Sequence, residues 1–234
     1  MRIKTLLITP PFTQLNTPYP ATSYLSGFLK ANDAPTVQCD LSIELFSRIF
    51  TRNVILEIFA EAEAQSNFKF KKVWKQRQEY INKVDMVIAY LREQEESTAK
   101  HFVSGSFLPV AHRSEKIAES YKSLDLIDKA KHLGTLFIEE LGDFIMANVD
   151  EFFSFTRYAE QIARSASSFD QLDEFLNYEP TLIEEQLLIL LEEKLIEQKP
   201  DLVGFSVPFP GNLFSALRCA QFIKHYDPKI KIAF

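Results

Sequence analysis

Four short groups carry the residue types that could do chemistry: Thr9-Pro10-Pro11-Phe12, Tyr19-Pro20, Asp40-Leu41-Ser42 and Ser206-Val207-Pro208. Three of them end an apolar run that reads as a strand, and Tyr19-Pro20 continues the loop after the first. Ligands of an open parallel sheet sit beyond the carboxyl ends of its strands. Proline fixes φ and withholds an N–H, so Thr9 to Phe12 with Tyr19-Pro20 offers shape and exposed-prone aromatics rather than an anion cradle. A phosphate-binding turn needs glycine, and none occurs before Gly27. The same residues also suit an ordinary proline-rich turn. Asp40 stands where an acid can bind a ribose, while Asp40 or Ser42 equally suits a helix N-cap. The Ser206 hydroxyl can serve a ligand or cap its own turn.

No complete catalytic constellation accompanies these groups. The sequence holds no Gly-x-Ser-x-Gly, no P-loop and no His-Glu-x-x-His. His101, His112, His132 and His225 are not paired at helical spacing and read as structural or surface residues. Cys39 and Cys219 lie far apart, which excludes a sequence-local zinc or cluster site and points to a reducing compartment. A net charge of −6 gives no basic footprint for nucleic acid. No apolar run approaches the ~18 residues of a membrane span, and no signal-peptide pattern is present, so a cytoplasmic location is expected.

The elements that must position these groups are of two kinds. Lys4 to Lys30 reads as strand, loop and helix, with Thr36 to Leu41 as a second strand. Asp201 to Pro208 reads as a third strand, then a helix from Asn212 (as N-cap) to His225, then "KIKIAF". Strands separated by helices imply βαβ units, hence an α/β fold: a Rossmann-like parallel sheet of about four strands. Between them, Tyr80, Val84, Val87 and Leu91 share one helix face, as do Leu133, Phe137, Leu141 and Phe144, and Leu188, Leu191 and Leu195. Thr181 and Glu184 make a capping box. A first helix is expected over 43–65, and roughly five to seven helices in all form a large all-helical insertion. His101 to Ser106 reads as a loop-like break, acidic runs as solvated helix faces, and Phe152-Phe153-Ser154-Phe155 as core. The expected division is 1–42 plus 200–234 for the sheet domain and 43–199 for the insertion. The strand-like end at Phe234 carries the expectation that the chain is a fragment.

"LLITPPF", "YPATSYLSGFLKA", "DLS" and "DLVGFSVPFPGNLFSALRCAQFIK" resemble the N-terminal part of cobalamin-binding radical SAM proteins. The resemblance covers the sheet segments, about a third of the chain, and not the insertion. It implies a Rossmann-like domain that holds cobalamin (vitamin B12), followed by a barrel binding S-adenosylmethionine (SAM) and a 4Fe-4S cluster on a Cys-x-x-x-Cys-x-x-Cys motif. That barrel would lie beyond Phe234 and be this domain's partner. The broader cobalamin pattern is Asp-x-His-x-x-Gly, then Ser-x-Leu, then Gly-Gly. Asp40-Leu41-Ser42 aligns with the first motif, so Ser42 replaces the axial histidine and Leu45 the glycine. Ser206-Val207-Pro208 aligns with Ser-x-Leu, and the spacer puts Gly-Gly just past Phe234. The resemblance implies that Pro10, Pro11 and Phe12 pack on the corrin face or edge and that Ser206 lines the channel for its nucleotide tail. The parent would carry out methyl transfer or rearrangement of an unidentified small-molecule substrate, and this chain alone would have no turnover. The alternative is a non-enzymatic helical interaction module on a degenerate Rossmann-like base; a flavodoxin-like or sugar-nucleotide binder is disfavoured by the few donors of the first loop.

Overall fold

The computed structural model describes residues 3–13, 15, 17, 19–64, 69–105, 107–109, 121, 123–155 and 169–234. By compactness the chain falls into two units, one of residues 1–46 with 152–234, the other of 47–151.

The first unit is built on a parallel sheet. β1 (Thr5–Thr9) pairs with β2 (Thr36–Asp40) on one side and β3 (Leu202–Phe205) on the other, and β3 pairs with β4 (Lys231–Ala233). The order β2-β1-β3-β4 makes β1 central, and all five of its residues are buried, as the continuous Leu6-Leu7-Ile8 run requires of a strand covered on both faces. The expected α/β class and four-strand parallel sheet are therefore present. Gly204 of β3 lets this strand lie close to β1, because a Cβ there would stand 3.0 Å from Leu7 Cδ2.

Between β1 and β2 runs α1 (Ala21–Ala31), which buries Thr22 and Ser26 and leaves Tyr24, Leu25 and Phe28 exposed. Its small polar residues face inward, the reverse of an ordinary amphipathic helix. After β2, α2 (Leu41–Ile49) starts at once, and the single helix expected over 43–65 ends at Ile49, with α3 (Arg52–Ala64) following a break at Phe50-Thr51. Gln65 lies outside the described residues.

α8 (Phe169–Leu176), α9 (Leu182–Gln198) and α10 (Pro210–Tyr226) also belong to the sheet unit. The Thr181–Glu184 capping box opens α9 as read from the sequence; Leu191 and Leu195 are buried and Leu188 is half-buried. Asn212 is not an N-cap. α10 begins two residues earlier at Pro210, where the missing N–H costs nothing, with Phe209 as N-cap. Arg218 on α10 is buried and gives its guanidinium to the Leu176 carbonyl at 2.7 Å, the Phe175 carbonyl at 3.0 Å and Glu184 Oε1 at 3.4 Å. It thus satisfies the Leu176 carbonyl at the α8 C-terminus, gives a second donor to Phe175 O, which also accepts the Tyr178 N–H at 3.3 Å, and ties α8, α9 and α10 together. Four rings, Phe12, Phe153, Phe155 and Phe46, run edge to face at centroid distances of 5.8, 5.4 and 6.1 Å.

The second unit is helical. It contains α3, α4 (Lys71–Lys75), α5 (Arg77–Glu93), α6 (Glu96–Val103) and α7 (Leu126–Asn148). Tyr80, Val84 and Val87 of α5 and Leu133, Phe137, Leu141 and Phe144 of α7 are buried, as their spacing predicts, whereas Leu91 is half-buried. The first free N–H of α3, on Arg52, goes to Asp85 Oδ1 at 3.0 Å. The phenol of Tyr80 donates to the buried Glu140 carboxylate. The expected loop at His101 starts later, since His101 to Val103 finish α6 and Phe102 is fully buried. His112 and Ser106 lie outside the described residues.

Replacing Arg218 with methionine removes the donor that meets Glu184 Oε1 and the Leu176 carbonyl in the interior. The expected loss is about 3–5 kcal/mol in urea unfolding, the cost of breaking a buried pair. Combining it with Glu184→Gln should recover part of that loss.

Candidate functional site

The three strand-end groups meet at the carboxyl edge of the sheet. β1 connects to β2 on one side, and the chain then crosses back to place β3 on the other. The β1 and β3 ends therefore form the point where the strand order reverses, the crevice in which open α/β sheets bind ligands.

Consecutive prolines shape what happens there. Neither Pro10 nor Pro11 has an N–H, so their loop cannot close on its own hydrogen bonds and other elements must satisfy it. Ser42, 1% exposed in the first turn of α2, accepts from the Thr13 N–H at 3.0 Å and the Thr13 hydroxyl at 3.1 Å, and donates to the Pro10 carbonyl at 3.3 Å. Asn212 reaches the same carbonyl from α10, its Nδ2 donating at 3.0 Å. The β3 end is joined too, because the Ser206 N–H donates to the Ile8 carbonyl at 2.9 Å. One residue earlier than Ser42, Leu41 is fully buried, and Asp40 caps α2 by accepting from the Ser42 N–H at 2.9 Å.

This geometry changes the role of the first group. Thr9, Pro10 and Pro11 are buried and Phe12 is 2% exposed against Phe153, so Phe12 is core and not an exposed aromatic surface. Its burial follows from a partner 141 positions away in sequence. Pro20 is exposed and Tyr19 half-buried; the Tyr19 ring lies 6.0 Å from that of Phe209, edge to face. Phe209 is 53% exposed, and Ser206, Val207 and Pro208 before it are half-buried. Among the described residues the accessible part of the edge thus includes Tyr19, Pro20, Phe209 and Ser206 to Pro208. Phe209 and Asn212 were not singled out as site residues from the sequence. Their signal was the β3 loop itself, since a site at one loop implicates its flanks.

Beside β2, the Glu44 carboxylate pairs with Lys194 Nζ at 2.7 Å, and this hydrogen bond raises the Lys194 pKa. Burial first, and then the charge of Glu44, pushes the Cys39 thiol up to about 12. Burial likewise raises Cys219. Neither is an activated nucleophile. Among the described residues no group of three or more His, Cys, Asp or Glu is placed to hold a metal ion. Two concavities lie away from this edge. One of about 360 Å³ is at the amino ends of the strands, beside Ile3, Asp201 and Lys231, and one of about 460 Å³ borders Tyr178, Arg218 and His225.

The fold and edge define an α/β protein with a Rossmann-like parallel sheet. Among the described residues no helix is long and apolar enough to cross a membrane. Comparison with protein-family models, curated proteins and solved structures gives no match.

Ser42→Ala should cost about 1–3 kcal/mol in urea unfolding, because it leaves the buried Thr13 N–H unpaired. The thiols give a pH signature. Their folded pKa values are raised, so the unfolded chain loses its thiol protons first, near pH ~8.5. This contribution to stability is complete below that pH and is lost as pH rises toward 12. Cys219→Ala should flatten the alkaline decline measured by urea titration.

Proposed function

We propose that the chain is a cobalamin-binding domain that presents a corrin to a radical SAM barrel outside residues 1–234. Support comes chiefly from one observation: the segments that resemble the cobalamin family, 6–12, 40–42 and 201–224, are joined at the β1–β3 crevice by bonds of 2.9–3.3 Å from Ser42, Asn212 and Ser206 to the Pro10 and Ile8 carbonyls. The residues at this edge suit the group. A corrin is a broad, largely apolar ring with amide rims, and Tyr19 and Phe209 offer it aromatic surface while Ser206 offers a hydroxyl. Two buried polar atoms of α10, Asn212 Oδ1 and Ser215 Oγ, have no hydrogen-bond partner.

Pro10, Pro11 and Phe12 take a supporting role in this proposal. They lie buried at the β1 end, and Tyr19 and Phe209 take over the contact with the ring. Ser42 is committed to Thr13 and Pro10 and would offer no imidazole to the cofactor. Asp40 and Leu41 fix the start of α2. When bound, cobalamin would supply a cobalt centre able to carry a methyl group or support radical chemistry, while the protein orients it and excludes water around it.

Ultraviolet-visible spectra of the anaerobically purified full-length protein, reconstituted with hydroxocobalamin, iron and sulfide, test this directly. A retained corrin spectrum together with an iron–sulfur band is expected. Absence of both defeats the proposal. Phe209→Ala should weaken hydroxocobalamin binding by about 10-fold, since the lost aromatic contact corresponds to about 1.5 kcal/mol or more. Tyr19→Ala should act in the same direction.

A further inference from the structure

Two side chains on one flank of α10 are buried with polar atoms unmet. Asn212 is 0% exposed; its Nδ2 is used on the Pro10 carbonyl, while its Oδ1 meets no donor. Ser215 is 1% exposed and its hydroxyl has no partner. The orientation of the Asn212 amide is fixed by chemistry, because a carbonyl can only accept and Pro10 O must face the NH2 end. The unmet atom is therefore an acceptor. Residues three apart on a helix stand one above the other, with Cβ atoms about 5–6 Å apart. An acceptor and a hydroxyl thus lie on one face of the first turns of α10, where Asn212 meets the Pro10 carbonyl after β1.

Buried polar groups without partners cost free energy, and the pair calls for a group that brings both a donor and an acceptor. A primary carboxamide does so from one plane, its N–H going to Asn212 Oδ1 and its carbonyl accepting from Ser215 Oγ. A carboxylate or phosphate brings no donor and would set its charge against Asn212 Oδ1. An apolar group would leave both atoms unmet. We propose that Asn212 and Ser215 form a carboxamide subsite. Resting on the cobalamin proposal, the group it takes is one of the primary amides on the corrin rim. The residues leading into α10, Ser206 to Phe209, are half-buried or exposed.

Ser215→Ala is the informative variant because it removes an unmet hydroxyl without touching the Pro10 clamp. Its stability in urea should equal or exceed that of the wild type, while hydroxocobalamin binding to the full-length protein weakens about 5–10-fold. A panel of cobalamin monocarboxylic acids, each with one rim amide hydrolysed, supplies the second readout. One isomer should bind the wild type at least about 10-fold more weakly than hydroxocobalamin, and Ser215→Ala should narrow that gap. Unchanged binding by Ser215→Ala overturns the subsite, and unchanged binding with lost stability assigns the hydroxyl to the fold. If the wild type binds no hydroxocobalamin, the corrin assignment falls by itself. The carboxamide subsite is then decided by nuclear magnetic resonance of labelled protein, in which acetamide but not acetate should shift the Asn212 and Ser215 amide signals; no shift overturns it.

Discussion

The backbone oxygen of Pro10 receives two side-chain donors, Ser42 Oγ from the helix after β2 and Asn212 Nδ2 from the helix after β3. A carbonyl has two lone pairs, so this one is fully used. The need arises in the sequence, because two adjacent prolines deprive their loop of N–H donors and leave its carbonyls to be met by other elements. The clamp brings the ends of three strands into one rigid edge although their residues are up to 202 positions apart. Around it, Phe12 goes into the core, Asp40 spends its carboxylate on the α2 N-terminus, and the surface left for a ligand shifts to Tyr19, Phe209 and the residues after β3.

An edge tied together in this way would suit the cofactor proposed above. Positioning is what a protein contributes to cofactor chemistry, and residues already held by packing and hydrogen bonds would lose little freedom on binding one. The unmet atoms of Asn212 and Ser215 stand out because their neighbours are so completely satisfied.

Much of the fold was legible in local sequence. The Leu6 to Ile8 run, the Phe137-to-Phe144 stripe and the Thr181–Glu184 box each declare themselves within a few residues, since strand burial, helix period and capping are local properties. The edge was legible as a place, from strand ends, but not as a set of contacts. Phe12 looked exposed because its partner Phe153 is remote in sequence, and proline-rich loops carry no period that reports burial. Asn212 looked like an N-cap because its amide suits that role, yet Pro210 started the helix earlier and released the side chain for Pro10. Helical periodicity also reports which face is buried without naming what covers it. It therefore could not show that α8 and α9 belong to the unit of the sheet while α3 to α7 form a unit of their own.

The pairing of Thr5 with Leu202 sets an order of events for a chain made from its amino end. Residues 47–151 have their whole unit in hand before β3 is synthesised, whereas β1 must wait for nearly two hundred residues to be added before its second neighbour exists. Closing so long a loop is slow, and a strand as apolar as Leu6-Leu7-Ile8 is a liability while it waits. The inserted helices thus act on the sheet's assembly through time as well as through space, delaying the completion of the edge until β3, from Leu202 on, has emerged.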